Sequence, residues 1–332
     1  MQIENFDVTV TRGGHVESCH RVHAAVVDAQ AGLVLEARDP RLVAPWRSCA
    51  KPFQVMPLIA AGRLETLDWD DDQIALACAS HGGEPEHVAI VTRMLDDLGL
   101  EEGDLVCGPH EPMSRRGARA LREAGKAATR LHNNCSGKHA AMLARARLAG
   151  WPTAGYESVT HAVQESCLGT VAAWTGVPRE SIGCAVDGCG VVVFVLPLDG
   201  MAAAWARLTR DAGVGDEIPA RIVNAMRSRP FLVGGTDRFD TILIEESGGR
   251  VISKIGAEGV QCAAIVDRGI GIALKVEDGA TRAQYPALLG ILQALDALPD
   301  PLPQRLADLA NPRIRNTRGE VVGDLHVLRA LN

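Results

Sequence analysis

The stretch WRSCAKPFQVMPLIAAG, residues 46–62, is where the chain changes character. Upstream of it, DVTVTRGG, HVESCHRVHAAVVDA and GLVLEARD are short runs rich in β-branched residues, broken by the turn signals GG and AQAG, and they predict strands. From Ala50 onward the apolar residues recur at helical spacing, and Pro52 suits a first helical turn. The same period continues through DDQIALACAS, PEHVAIVTRMLDDLG, RRGARALREAGK and SGKHAAMLARARLAG, with Gly and Pro as stop signals.

Further out, THAVQESCLGTVAAW, DGMAAAWARLTRDAG and EIPARIVNAM predict more helices, and GCAVDGCGVVVFVLPL between them predicts one or two strands. After Thr241 strands are expected again at TILIEESG, RVISKIG, VQCAAIVD and GIGIALKVEDG. A last helix over about 283–298, a Pro-rich stretch and a short tail follow. Strands at both ends with helices between them predict an α/β fold: one antiparallel sheet built from both chain ends, beside a helical insertion. The expected layout is a single catalytic unit, 1–332, with a sheet subdomain over about 1–47 and 180–332 and a helical subdomain over about 48–179. No internal repeat or low-complexity segment interrupts it.

The 332 residues suffice for a large core, but aromatics make up only 4% of them, so Ala, Val, Leu and Ile must build it. Lys plus Arg number 34 against 41 Asp plus Glu, a net charge of −7 that argues against a polyanionic partner. No basic run or basic patch interleaved with aromatics occurs, so nucleic acid is not an expected ligand. The opening MQIENFDVTV lacks the pattern of a signal peptide, and no apolar run is long enough to cross a bilayer. The expectation is a cytoplasmic protein with no membrane partner. Its nine cysteines then read as packed thiols, metal ligands or reactive thiols rather than a disulfide framework.

Four places carry possible chemistry. Ser48 and Lys51 stand three apart where strands hand over to the first long helix, close enough to interact if both lie in its first turn. For Lys51 to serve as base to a serine nucleophile, its pKa must fall well below ~10.4, and its apolar neighbours favour that. The same spacing also describes one solvated turn of an ordinary helix. CASHGGE, residues 78–84, is a tight loop whose N–H groups suit an oxyanion or carboxylate, or simply a Gly-Gly turn capped by Ser80 and His81. LHNNCSGKHAAM, residues 131–142, supplies Cys135, Lys138 and His139 at a helix start. VDGCG, residues 186–190, adds Asp187 and Cys189; two thiols with a nearby His or Lys suit zinc, although no CxxC pair is present. GIG at 269–271 and GCG at 188–190 lack the third Gly of a dinucleotide site, and VGGTDRFDT, residues 233–241, lacks the GK[ST] of a phosphate loop.

Taken in order, RSCAKPFQ, ACASHGGEPEH, CGPHEP, HNNCSGKHAAML, VDGCGVVVFVLPL, VGGTDRFDT and KIGAEGVQCAAI resemble the Rhizobium etli-type, or class 3, L-asparaginases of the asparaginase II family, over nearly the whole chain. The resemblance implies a fold like that of serine β-lactamases and glutaminases, a homodimer, and hydrolysis of L-asparagine to L-aspartate and ammonia. It implies two Ser–Lys pairs, Ser48 with Lys51 and Ser80 with Lys254. It also implies a zinc ion held by Cys135, Lys138 and Cys189 that aids substrate binding. Asp187, His139 and Arg47 become candidate substrate-binding residues. The alternative is the same Ser–Lys chemistry applied to glutamine, a β-lactam or another amide; a non-enzymatic zinc-stabilised binding protein is a third reading.

Overall fold

The computed structural model describes residues 2–331, and side chains from residue 6 to residue 328. The chain divides into two compact units, one made of Met1–Ala44, Leu196–Arg210 and Ile242–Asn332, the other of Pro45–Val195 and Asp211–Thr241.

The first unit is built on an eight-stranded sheet. Its strands run in the order Arg313–Arg315, Val321–Leu331, Gln2–Arg12, Gly32–Ala37, His15–Asp28, Ile270–Val276, Val260–Ile265 and Val251–Ile255. Every pairing is antiparallel except a short parallel one that sets Gln2 and Ile3 beside Glu36 and Ala37. The helix Thr281–Ala294 packs on this sheet. On another helix of the unit the approach is closer: a Cβ added at Gly271 would lie 2.1 Å from the carbonyl oxygen of Ala202, so only glycine fits that strand position.

The sheet therefore does join both chain ends, as the alternating runs predict. The tail differs from expectation. Instead of trailing off after the Pro-rich stretch, the chain forms a helix, Gln304–Ala310, and then the strand Val321–Leu331, which pairs with the first strand. TILIEESG, expected as a strand, lies in the helix Phe239–Glu246. All six residues from Phe239 to Ile244 are buried. A short continuous apolar run of this kind carries no period that separates strand from helix.

The second unit is helical. It holds α1 (Lys51–Ala60), α2 (Asp71–Cys78), α3 (Pro85–Asp96), α4 (Arg115–Glu123), α5 (Ser136–Ala149) and α6 (Ala162–Thr175), with a further helix at Glu217–Ser228. Its hairpin pairs Gly183–Val186 with Val192–Val195. The hairpin and residues 211–241 cluster with these helices, although the sequence reading assigned them to the sheet subdomain. At the core of the unit, α2 is buried from Gln73 to Cys78 and packs against α1, α3, α5 and Glu217–Ser228. Small side chains permit this. A Cβ at Gly137 of α5 would come within 2.4 Å of the Leu76 carbonyl oxygen. Trp46 stacks on Phe53 at 4.9 Å, both fully buried, and pins the turn between them, a contact worth about 0.5–1.5 kcal/mol beyond the area it buries.

Candidate active site

That pinned turn is a 3₁₀ segment, Arg47–Ala50, running straight into α1. Lys51 is the first residue of α1 and is 1% exposed. Its Nζ donates to the carbonyl of Ala79, to the hydroxyl of Ser80 at 3.1 Å and to the carbonyl of Asn134 at 3.2 Å. Ala79 caps the C-terminus of α2, so its carbonyl belongs to the negative end of that helix and attracts the amine. Lysine 51 is thus turned toward Ser80 rather than toward Ser48, the partner its sequence spacing suggested. Ser48 is half-buried.

Arg47, just before Ser48, has a left-handed backbone, φ +52°, which costs a non-glycine residue energy. Its Nε donates to Asp187 Oδ1 at 2.8 Å. The Asp187 carboxyl is held below its ordinary range: burial opposes this, but the charges of Lys138 and Arg47 and the Gly188 N–H outweigh it. Two of the expected substrate-binding residues therefore hold each other.

The Ser80 loop departs from its expected role. The N–H of Ser80 donates to the carbonyl of Val233 at 3.2 Å, that of Gly83 to His81 Nδ1 at 3.2 Å, and that of Glu84 to His87 Nδ1 at 3.1 Å. Three N–H groups read from the sequence as possible oxyanion donors are already committed. Ser136 gives its hydroxyl hydrogen to the carbonyl of Leu131, so His81, whose Nδ1 accepts, carries its hydrogen on Nε2 and donates it to Ser136 Oγ at 2.9 Å. His87 stacks between His81 and Phe231, and burial lowers its pKa.

Cys135, Lys138 and Cys189 come together. Lys138 Nζ donates to Cys189 Sγ at 3.0 Å, and all three side chains are buried. The thiol of Cys189 is lowered to about 4 by the hydrogen bond from Cys135 and, against burial, by the charge of Lys138. Cys135, whose thiol also lies 3.1 Å from Asn134 Oδ1 as a donor, is pushed up to about 12 by Cys189 and by burial. Lys138 is raised: burial works against its charge, but Cys189, Cys135 and Asp187 outweigh it. Two cysteines and a lysine match zinc in donor type once Cys135 and Lys138 give up their protons to the metal, and three ligands leave a fourth tetrahedral position open. Among the described residues no group of three or more His, Cys, Asp or Glu side chains is placed to hold a metal, and the third donor of this set is a lysine.

Two neighbours were missed. Cys107, in the CGPHEP block, is pushed up to about 12 by burial and by its proximity to Cys135 and Cys189. Tyr156 accepts the N–H of Val106 at 3.0 Å, and its hydroxyl shares a hydrogen bond of 2.6 Å with His139 Nδ1. His139 Nε2 is buried and has no hydrogen-bond partner among the described residues. Burial, then the charge of Lys138, holds His139 down at about 3, so it is uncharged. Spacing gives no sign of Tyr156, 17 residues from its partner. Lys254 belongs to the first unit, on the strand Val251–Ile255; it is fully buried and donates to the carbonyl of Ile255 at 3.0 Å.

The family profile described as L-asparaginase II matches residues 8–327. No curated protein matches the chain. Among solved structures, one titled crystal structure analysis of Mglu is 12% identical with a TM-score of 0.47, covering 84% of this chain and 67% of its own. A second Mglu structure, the native form, is 14% identical with a TM-score of 0.48; it covers 83% of this chain, which spans 65% of it. A putative beta-lactamase from Bacteroides dorei is 11% identical with a TM-score of 0.46, over 82% of this chain and 94% of its own.

Proposed function

This chain belongs to the L-asparaginase II family of amidohydrolases, and from that premise we propose that it hydrolyses L-asparagine to L-aspartate and ammonia through a serine ester. One observation carries the reading: the Lys51 amine, deeply buried, is bound by two carbonyls and one serine hydroxyl. Two of its hydrogens are fixed on Ala79 and Asn134, and its remaining tetrahedral position faces Ser80. That position is where a proton enters or leaves.

In the proposed sequence the proton of Ser48 passes through the Ser80 hydroxyl to Lys51, and the Ser48 oxygen attacks the side-chain amide carbon. The Lys51–Ser80 couple returns that proton to the nitrogen, the C–N bond breaks, and ammonia leaves a β-aspartyl ester on Ser48. Water then attacks the ester, giving its proton to the same couple, and the proton passes back to Ser48 as aspartate departs. His139, uncharged and held by Tyr156, is proposed to bind the α-carboxylate, and Asp187, held by Arg47, the α-ammonium of the substrate. Lys254 is carried over from the family resemblance as the second lysine. Homodimerisation is carried over in the same way, and light scattering tests it.

Cys135, Lys138 and Cys189 are proposed to hold a zinc ion, which when bound supplies a fixed positive charge that aids substrate binding. Metal analysis of protein made with added zinc tests this apart from activity. About one zinc per chain is expected in the wild type and much less in Cys189→Ser; a zinc-free wild type sinks the assignment.

Ammonia release from asparagine is the primary test of function. Rapid quenching in the presence of asparagine, followed by peptide mapping, is expected to find the acyl group on the peptide containing Ser48. An acyl group on Ser80 instead exchanges the roles of the two serines.

A further inference from the structure

Two Gly-Gly pairs, His81-Gly82-Gly83-Glu84 and Val233-Gly234-Gly235-Thr236, meet around one carboxylate. Glu84 is fully buried. Its Oε1 accepts the N–H of Thr236 at 2.7 Å, and its Oε2 accepts the Thr236 hydroxyl at 2.8 Å and Arg116 Nη1 at 2.5 Å. The glycines make room for it. A Cβ at Gly235, where φ is +118°, would sit 2.7 Å from Glu84 Oε1, and one at Gly82 would sit 2.8 Å from Ser114 Cβ and 3.1 Å from Glu84 Oε1. Glu84 is the N-cap residue of α3, and its own N–H donates to His87 Nδ1 at 3.1 Å.

The segment that carries Ser80 has no apolar anchor, for Ser80-His81-Gly82-Gly83-Glu84 contains no aliphatic side chain beyond its stems. Polar ties hold it: Ser80 N–H to Val233, the Ser114 N–H to the carbonyl of Gly82, His81 to Ser136, and Glu84 to Thr236 and Arg116. Glu84 alone among these brings charge, and charge-assisted bonds are the strong ones.

We infer that Glu84 is a positioning residue of the proposed active site: by tying Thr236 and Arg116 to the loop that bears Ser80, it sets the Ser80 hydroxyl against Lys51. The inference rests on the amidohydrolase reading and adds to it a residue that neither pairs with nor touches the lysine. The ionised carboxylate is essential, because a neutral amide at 84 must turn a donor toward Thr236 or Arg116, both of which already donate.

The test is a set of three variants, Glu84→Gln, Thr236→Val and Glu86→Gln, each assayed for kcat and KM on asparagine and for the rate of labelling by a fluorophosphonate, which reports serine reactivity without an amide substrate. Glu86 is the exposed second partner of Arg116 and serves as control. For Glu84→Gln, kcat and the labelling rate are expected to fall about 10- to 100-fold with KM within about threefold of wild type, the penalty of a misplaced reacting group. Thr236→Val is expected to show a smaller loss of the same kind, and it carries the test if Glu84→Gln does not fold. Glu86→Gln is expected to match wild type. Folded variants that label and turn over at the wild-type rate overturn the inference, as does a rise in KM with kcat unchanged. A wild type that labels but releases no ammonia from asparagine overturns the proposed substrate alone; one that does not label overturns both.

Discussion

The Nζ of Lys51 reaches the hydroxyl of Ser80 across 29 positions of sequence, at 3.1 Å, while the serine three positions away, Ser48, is not among its hydrogen-bond acceptors. If lysine and serine move one proton together, removing either breaks the same device. Lys51→Met and Ser80→Ala are each expected to lower kcat about 100- to 10,000-fold, and the double variant to be hardly worse than the poorer single one. Multiplicative losses in steady-state ammonia release would mean that the two act separately.

Acid is expected to loosen the loop through His87. Burial lowers its folded pKa, so the unfolded chain takes up a proton near pH ~6.5 that the folded chain refuses until lower pH. Stability from this residue is therefore complete above about pH 6.5 and is lost as pH falls through the folded value. Denaturant midpoints should be level from about pH 7 to 8 and decline below about pH 6, with a shallower decline in His87→Gln. An equally steep decline in that variant would place the acid sensitivity elsewhere.

Breaking the Arg47–Asp187 pair releases a strained backbone one residue before Ser48. Asp187→Asn is expected to raise KM for asparagine about tenfold or more, equivalent to about 1.4 kcal/mol per factor of ten. The kcat is expected to change less. An unchanged KM would remove both residues from substrate binding.

Gly137→Ala tests the packing that brings α5 onto α2. The new methyl group meets the backbone oxygen of Leu76, which has no rotamer to escape by. A loss of about 1–3 kcal/mol is expected in urea unfolding, the range of overpacked cores, and a neutral result would mean that the two helices part easily.

The sequence by itself determined the elements whose apolar period is clear. The change from alternation to helical spacing around Trp46–Lys51 is real, and so are α1 to α6 and the strands at both ends. Such elements are legible because a half-buried strand or helix shows its buried face as a period of two or 3.6. Phe239–Ile244, buried on every side, shows no such face, and its helical state came only from tertiary packing. The late strand Val321–Leu331 was likewise invisible until Gln2–Arg12 was there to pair with it. In the candidate site, the motifs singled out Ser80, Cys135 and Lys138, yet that Lys51 faces Ser80, that Tyr156 holds His139, and that Glu84 lies between two glycine pairs were decided by the tertiary structure. Hydrogen bonds between distant segments leave no periodic mark in a chain; they exist only once packing has excluded water and left each buried polar atom to find its partner.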